Sequence, residues 1–556
     1  MTLVDTKPTS EQTSKSTHDN EWWRGAVIYQ IYPRSFQDTS GDGTGDLHGI
    51  TQRLPHLASL GVDALWISPF FKSPMRDFGY DVSDYEQVDP MFGTLDDFRR
   101  LVERAHSLGL KVIIDQVLSH SSSEHPWFME SRACRTNDKA DWYVWADAKP
   151  DGSPPNNWLS IFGGPAWQWD TRRRQYYLHN FLASQPDLNL HNLAVQDALL
   201  ASMKFWLELG VDGFRLDTVN FYFHDPKLQD NPALHPQMRN ASIAPDVNPY
   251  NFQDHLHDKN QPENLEFLRR IRSLLNGYPG AAAVGEVGDA QYGLQIVSDY
   301  TSGGDKVHMC YSFDLLSATP PTAAHLNKIV ADFERTVKDG WACWAFSNHD
   351  VRRHATRWGQ NFGNSPAHLK LLAALLLSLR GSVCLYQGEE LGLPEAELSL
   401  EDLKDPYGIE FWPDFKGRDG CRTPMVWNVG EKNAGFTSGN PWLPVPKEHL
   451  ALAVDRQADD PLSLMAHYRN FIAFRRKLAA LVKGSIQLDD QNENVFCFRR
   501  IHDGETIVCA FNLSNETQTL TIPDIKLSNM PESGFGGSTN GRTVQIPPID
   551  AFFGRA

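Results

Sequence analysis

An α/β fold, a closed (β/α)8 TIM barrel, is what this sequence predicts, and three observations predict it. Eight short apolar segments alternate with amphipathic helical stretches, the pattern of a parallel sheet covered by helices. Polar and charged residues gather just after the C-terminal ends of those segments, where barrels of this kind keep their chemistry. Two regions break the alternation and predict an inserted small domain after the third strand and a C-terminal antiparallel β-domain.

In chain order, the polar stretch 1–20 predicts a disordered tail. Residues 21–119 form the first part of the barrel, with strands at 26–31, 64–67 and 111–117 and a helix over 95–109 (LDDFRRLVERAHSLG). Residues 120–189, rich in Trp, Pro, Gly and Asn, are too long for a structureless loop and predict an inserted domain of irregular β structure. Residues 190–476 complete the barrel, with strands at 213–216, 282–285, 308–311, 343–346 and 382–385 and helices at 201–210 and 265–276. Within that span, the Gly-, Pro- and acid-rich segment 386–440 is expected to fold over the active face. Alternating patterns at 494–500 and 506–513 place the β-domain at 477–556.

Composition narrows the function classes. The chain has 556 residues, 41% apolar and 22% charged, which is ordinary for a soluble protein with a large core. A net charge of −17 argues against nucleic acid and against an anionic membrane surface, because both select basic patches. The seven cysteines, scattered without C-x-x-C pairs, imply free thiols in a reducing compartment, so a cytoplasmic protein is expected. The longest apolar run, at 371–379, ends at Arg380 and is too short to span a bilayer.

The chemistry-bearing residues fall at strand tips. GFRLDTVN puts Arg215 and Asp217 two apart, on one face of the fourth strand. An arginine beside a carboxylate favours the anion, as a nucleophile needs. The fifth strand ends at Glu286, which has no adjacent cation in sequence and lies near other acids, so its pKa is expected to rise, as a general acid requires. The seventh ends in FSNHD, with His349 and Asp350, and the third in DQVLSH, with His120. Any one of these residues alone is better read as structural. Three acids, two histidines and an arginine at the tips of one barrel point instead to retaining glycoside hydrolysis. Asp217 then attacks, Glu286 is acid and base, and Asp350 stabilises the cationic transition state. The two histidines donate hydrogen bonds to sugar hydroxyls.

DQVLSH, GFRLDTVN, EVGD and FSNHD resemble the four short motifs of the α-amylase clan, glycoside hydrolase family 13. QPDLN at 185–189 resembles a fifth, found in its oligo-1,6-glucosidase and α-glucosidase branch. The likeness runs from about Trp22 to the C-terminus and lies nearest to bacterial α-glucosidases that transfer glucose. It implies the same three catalytic roles, with His120, Arg215 and His349 contacting the terminal glucose. It further implies that Asp77 binds that glucose and Tyr80 forms its platform. Arg418 pairs with Asp77 to close the pocket, in preference to Arg422, while Phe162 and Phe181 line the entrance.

The loop 38–46 spaces oxygen donors at every second position: Asp38, Ser40, Asp42, Thr44 and Asp46. The spacing alone equally fits a self-capping Asp/Gly turn. Because relatives bind Ca²⁺ or Mg²⁺ in the matching loop, the resemblance implies a structural metal and no organic cofactor. Thr218, after the nucleophile, matches the branch members acting on α-1,4 links. The expected activity is therefore release of terminal glucose from maltose-like substrates, with transfer to acceptor alcohols, by a monomer or homodimer. An oligo-1,6-glucosidase, or a sucrose- or maltose-acting isomerase or transferase of the clan, is the alternative. The isomerases' arginine-rich loop is not evident, and the membrane helix of the clan's transporter subunits is missing.

Overall fold

The strands that carry the predicted motifs are buried almost throughout and close into a ring. They are β1 (Val27–Ile31), β2 (Ala64–Ile67), β3 (Lys111–Gln116), β4 (Gly213–Leu216), β5 (Ala282–Val287), β6 (Met309–Ser312), β7 (Cys343–Ala345) and β8 (Ser382–Tyr386). All pair in parallel, in the order β6-β5-β4-β3-β2-β1-β8-β7. A parallel bridge between Cys310 and Ala342 joins the two ends and completes the barrel. This computed structural model describes residues 21–359, 365–489 and 492–556. The stretch 1–20, expected to be a disordered tail, lies outside the described residues.

Strand ends move by one or two residues from the sequence reading. The shift that matters places Glu286 inside β5, one residue before its end. Along each strand the side chains alternate. Ile28, Trp66, Ile113, Val284, Tyr311, Cys343 and Cys384 fill the barrel interior, while a larger apolar layer packs between strands and helices. Helix Leu95–Ser107 starts where Thr94 and Asp97 form a capping box, and it buries Phe98, Leu101, Val102 and Ala105. The helix feeding β4, Leu193–Glu208, is capped by Asn192; Gly210, at φ 93°, turns the chain into the strand.

The inserted region carries a small antiparallel sheet, Trp145–Ala146, Gln175–Leu178 and Trp167–Asp170, with Trp158, Trp167 and Leu178 in a core of its own. It is fastened to the barrel at the end of the third strand by a Leu188 N–H to Ser119 carbonyl hydrogen bond of 2.9 Å. At the C-terminus, a five-stranded and a three-stranded antiparallel sheet enclose Val495, Val508, Val544 and Phe552. The outer face of the larger sheet packs Phe553 against Phe471 and Phe474 of helix Leu464–Arg476. Among the described residues no helix is long and apolar enough to cross a membrane. All seven cysteines are free, and only Cys134 is exposed.

Candidate active site

The β3, β4, β5 and β7 tips open into a cavity of about 680 Å³. Of the residues singled out in the sequence, Asp77, Tyr80, His120, Phe162, Phe181, Asp217, Thr218, Glu286, Asp350 and Arg418 line it. The segment after β8 does fold over this face, contributing Glu395, Tyr407, Pro413 and Arg418 to the wall. Arg215 and His349 stand behind the lining, and neither is exposed.

Arg215 is the centre of the arrangement. Its Nη1 lies 2.7 Å from Asp115 and 2.6 Å from Asp217, and its Nη2 lies 2.5 Å from Glu286. Tyr311 accepts from the same guanidinium and donates to Glu286 Oε1 at 2.9 Å. Asp217 and Glu286 thus bracket one cation from two neighbouring strands. Burial pushes both carboxyls up to about 7, against the opposing charge of Arg215. This corrects two points of the sequence reading. Arg215 does not hold Asp217 low, because Asp115 and Glu286 share its charge and desolvation outweighs what is left. Glu286 does rise, but it has a cation in contact, supplied by the neighbouring strand, and burial is the cause.

Asp350 differs. Its burial also opposes ionisation, but His349, Arg418, Arg422 and Arg215 outweigh it and hold the carboxyl below the usual range. His349 is itself kept neutral by burial, so the arginines supply the full charges. Arg422 donates to Asp350 at 2.9 Å, and Arg418 does so at 3.2 Å. His349 stacks on Tyr80, with ring centroids 5.4 Å apart, and is gripped from behind by the Gln30 amide at 2.7 Å.

The far end of the cavity is closed by Arg418, which reaches Asp77 and Asp405 at 2.8 Å each. Arg422 does not touch Asp77; it turns to the His349 carbonyl and Asp350. Burial raises Asp77 to about 6 despite Arg418. Phe162 lies under the Arg418 guanidinium at 5.0 Å, and Phe181 packs on both Phe162 and His120.

Thr218 adopts φ 39° and ψ 49°, a left-handed backbone that a β-branched residue takes at a cost of about 1–3 kcal/mol. The conformation points its N–H at Glu286 Oε2, 3.0 Å away, while its hydroxyl donates to Asp217 at 3.2 Å. One residue thus ties the two bracketing carboxylates together.

Sequence reasoning missed Asp115, Tyr311 and Asp405. The first two carried a usable signal: each occupies an interior position in an apolar strand, in register with Arg215 and Glu286 respectively. Asp405 was visible only as the N-cap of helix Pro406–Glu410, and its second task, gripping Arg418, needs the fold.

Loop 38–46 lies away from this cavity. Asp38 accepts from the N–H groups of Ser40, Gly41 and Gly43 at 2.8 Å each and from the Thr437 hydroxyl. Asp46 caps helix Leu47–Leu60 through Gly49 N–H and takes the Thr39 N–H at 2.7 Å. Asp42, exposed, accepts from Thr44 N–H. The all-oxygen set suits a hard cation. All three of its carboxylates are nevertheless engaged by N–H groups, and among the described residues no three His, Cys, Asp or Glu side chains converge as metal ligands.

The chain has clear relatives among known proteins. A family model described as "Alpha amylase, catalytic domain" matches residues 30–484. A "Probable alpha-glucosidase" of Rhizobium meliloti is 62% identical, covering 97% of each chain. An "Oligo-1,6-glucosidase" of Heyndrickxia coagulans is 36% identical over 92% of this chain and 97% of its own. The crystal structure of the alpha-glucosyl transfer enzyme XgtA superposes with a TM-score of 0.94 at 54% identity, covering 96% of this chain and 99% of the other.

Proposed function

Since the chain belongs to the alpha-amylase family, glycoside hydrolase family 13, and is an enzyme of its α-glucosidase type, we propose that it releases terminal α-1,4-linked glucose from short substrates with retention of configuration. The observation that carries the reading is the pair Asp217 and Glu286 on one guanidinium at the floor of a closed-ended cavity. Retaining chemistry needs two carboxyls roughly 5–5.5 Å apart, one ionised and one protonated. Arg215 holds an oxygen of each acid on its two terminal nitrogens, which keeps the carboxyls close, and burial raises both so that the pair can carry a proton near neutral pH.

In the first step an Asp217 oxygen attacks the anomeric carbon as the glycosidic C–O bond breaks, and the Glu286 proton goes to the departing oxygen. Asp350, held anionic, opposes the positive charge that develops on the ring. In the second, water gives its proton to Glu286 and displaces Asp217, restoring both carboxyls. An acceptor alcohol in place of water yields a glucoside by the same proton path. Arg418, Asp77 and Asp405 close the space beyond the terminal glucose, which favours attack at chain ends. Thr218, which lines the cavity between Asp217 and Glu286 and matches the α-1,4-acting branch members, supports the α-1,4 preference; the oligo-1,6-glucosidase relative keeps the α-1,6 reading as the alternative.

The test is proton NMR of p-nitrophenyl α-glucoside and maltose turnover. α-Glucose as first product supports retention, and β-glucose overturns it. Steady-state rates on maltose, isomaltose and sucrose decide the linkage: equal or faster turnover of isomaltose removes the α-1,4 assignment. We also propose a structural Ca²⁺ or Mg²⁺ on Asp38, Ser40, Asp42, Thr44 and Asp46, supported by the donor chemistry and spacing of the loop. A monomer or homodimer in a reducing compartment is the accompanying proposal.

A further inference from the structure

An unbroken line of polar contacts runs from Asp77 to Asp217 through four side chains. Gln185 Nε2 donates to Asp77 at 3.0 Å, and its Oε1 accepts from Leu182 N–H at 3.0 Å. Those two partners fix the amide, since a flip would set its oxygen against a carboxylate and its NH₂ against an N–H. The second Nε2 hydrogen of Gln185 therefore faces His120 Nε2, 3.1 Å away. That nitrogen must accept, so the ring proton sits on Nδ1. Nδ1 lies 2.9 Å from Ser119 Oγ, Ser119 Oγ lies 3.0 Å from Thr218 Oγ1, and Thr218 Oγ1 lies 3.2 Å from Asp217 Oδ2.

We propose that Ser119 is a positioning residue, whose hydroxyl accepts from His120 Nδ1–H and donates to Thr218 so that the Thr218 hydroxyl is free only to donate to Asp217. Each hydroxyl has a single proton, and this is the orientation in which every link is a donor meeting an acceptor. The Tyr80 carbonyl, 3.2 Å from His120 Nε2, is the competing partner. Were Nε2 protonated for its sake, Gln185 would face an N–H, and Ser119 would donate to Nδ1. Thr218 would then choose between Ser119 and Asp217. The chain thus aims a hydroxyl at the attacking carboxylate and commits both ring nitrogens of His120 to protein partners.

The inference rests on Asp217 being the attacking carboxylate, and two measurements separate it from that reading. ¹⁵N spectra of histidine-labelled enzyme, with His120 assigned by His120→Asn, read the tautomer without reference to turnover. The Nδ1–H form is expected, and the Nε2–H form overturns the proposal. The second measurement is the pH profile of kcat/KM on one aryl glucoside. A hydroxyl that donates to Asp217 stabilises its anion, so losing the ordered chain raises the pKa. The acid limb should move up by about 0.5–1 pH unit in Thr218→Val, and by less in Ser119→Ala, where the Thr218 hydroxyl can still reach Asp217 but is no longer held there. Thr218→Ser, which keeps the hydroxyl, should return the limb to its original place. A limb that stays put in Thr218→Val, or moves equally in Thr218→Ser, overturns the proposal even if Ser119→Ala fails to fold.

Discussion

Asp217 and Glu286 in the cavity and Asp38 in loop 38–46 show nearly the same small exposure, yet they end in opposite states. Asp217 and Glu286 are each 4% exposed, and burial carries them to about 7. Asp38 is 5% exposed; burial works the same way there, but donors from Thr437, Gly43, Gly41 and Ser40 outweigh it and hold the carboxyl below the usual range. The cavity acids must divide one arginine among three, whereas Asp38 alone receives three N–H groups of its own loop and the Thr437 hydroxyl. A carboxylate with unmet demand can take and give a proton. One saturated by its own turn holds structure.

The sharpest break of this comparison is Asp217→Asn against Asp38→Asn. The first should cut turnover by at least about 10⁴-fold with the fold intact. The second should leave turnover nearly unchanged while costing about 1–3 kcal/mol of stability, read by thermal melting. Equal losses of activity in the two would erase the distinction.

Glu286→Gln comes next, at about 10²–10⁴-fold in kcat/KM on maltose, where the leaving oxygen must be protonated. On p-nitrophenyl α-glucoside, whose phenolate leaves unaided, the loss in the first step should be far smaller. The variant should also lose the alkaline limb of the pH profile. Because the pair is raised to about 7, its active, singly protonated form declines as pH climbs through that value. A limb that survives in Glu286→Gln assigns the proton elsewhere.

Arg418→Ala removes an ion-pair partner shared by Asp77, Asp350 and Asp405, and leaves the buried Asp405 without that contact. A stability loss of about 3–5 kcal/mol and a KM increase exceeding the fall in kcat are expected, from melting and steady-state kinetics. Lysine at this position should recover part of the stability and little of the binding, since it cannot fork to two acids.

The smallest expected effects concern the loop. Chelation should lower the melting temperature and spare initial turnover if a cation supplements the N–H groups. An unchanged melt would sink the metal while leaving the comparison of the two carboxylate sets standing. The pH dependence of stability sharpens it. Asp38, lowered, contributes stability that is present above its unfolded pKa and lost as pH falls through the folded one. Asp217 and Glu286, raised, bind protons in the native state that the unfolded chain has released. Their contribution therefore falls as pH rises from about 4 to 7.

The barrel was legible because its signal is local. Eight apolar runs at β–α spacing leave few other ways to bury that much surface, and an acid at the end of such a run has one place to go. Asp217, Glu286 and Asp350 were therefore found from position, and Asp77 and Arg418 from motif likeness. Ionisation was not legible. The order β5-β4-β3 brings Glu286 and Asp115 onto the arginine that the sequence assigned to Asp217 alone.

By itself, then, the sequence determined the architecture, the residue types at each strand tip and the class of chemistry, since these follow from periodicity and side-chain identity. Only the tertiary structure decided who shares Arg215, which way Thr218 turns, that Asp405 joins the Arg418 clamp, and that Thr437 adds its hydroxyl to the N–H groups on Asp38. The reason is the range of the forces involved. Burial patterns are written within a dozen neighbouring residues, but a charge responds to every group within a few ångströms, whatever its place in the chain.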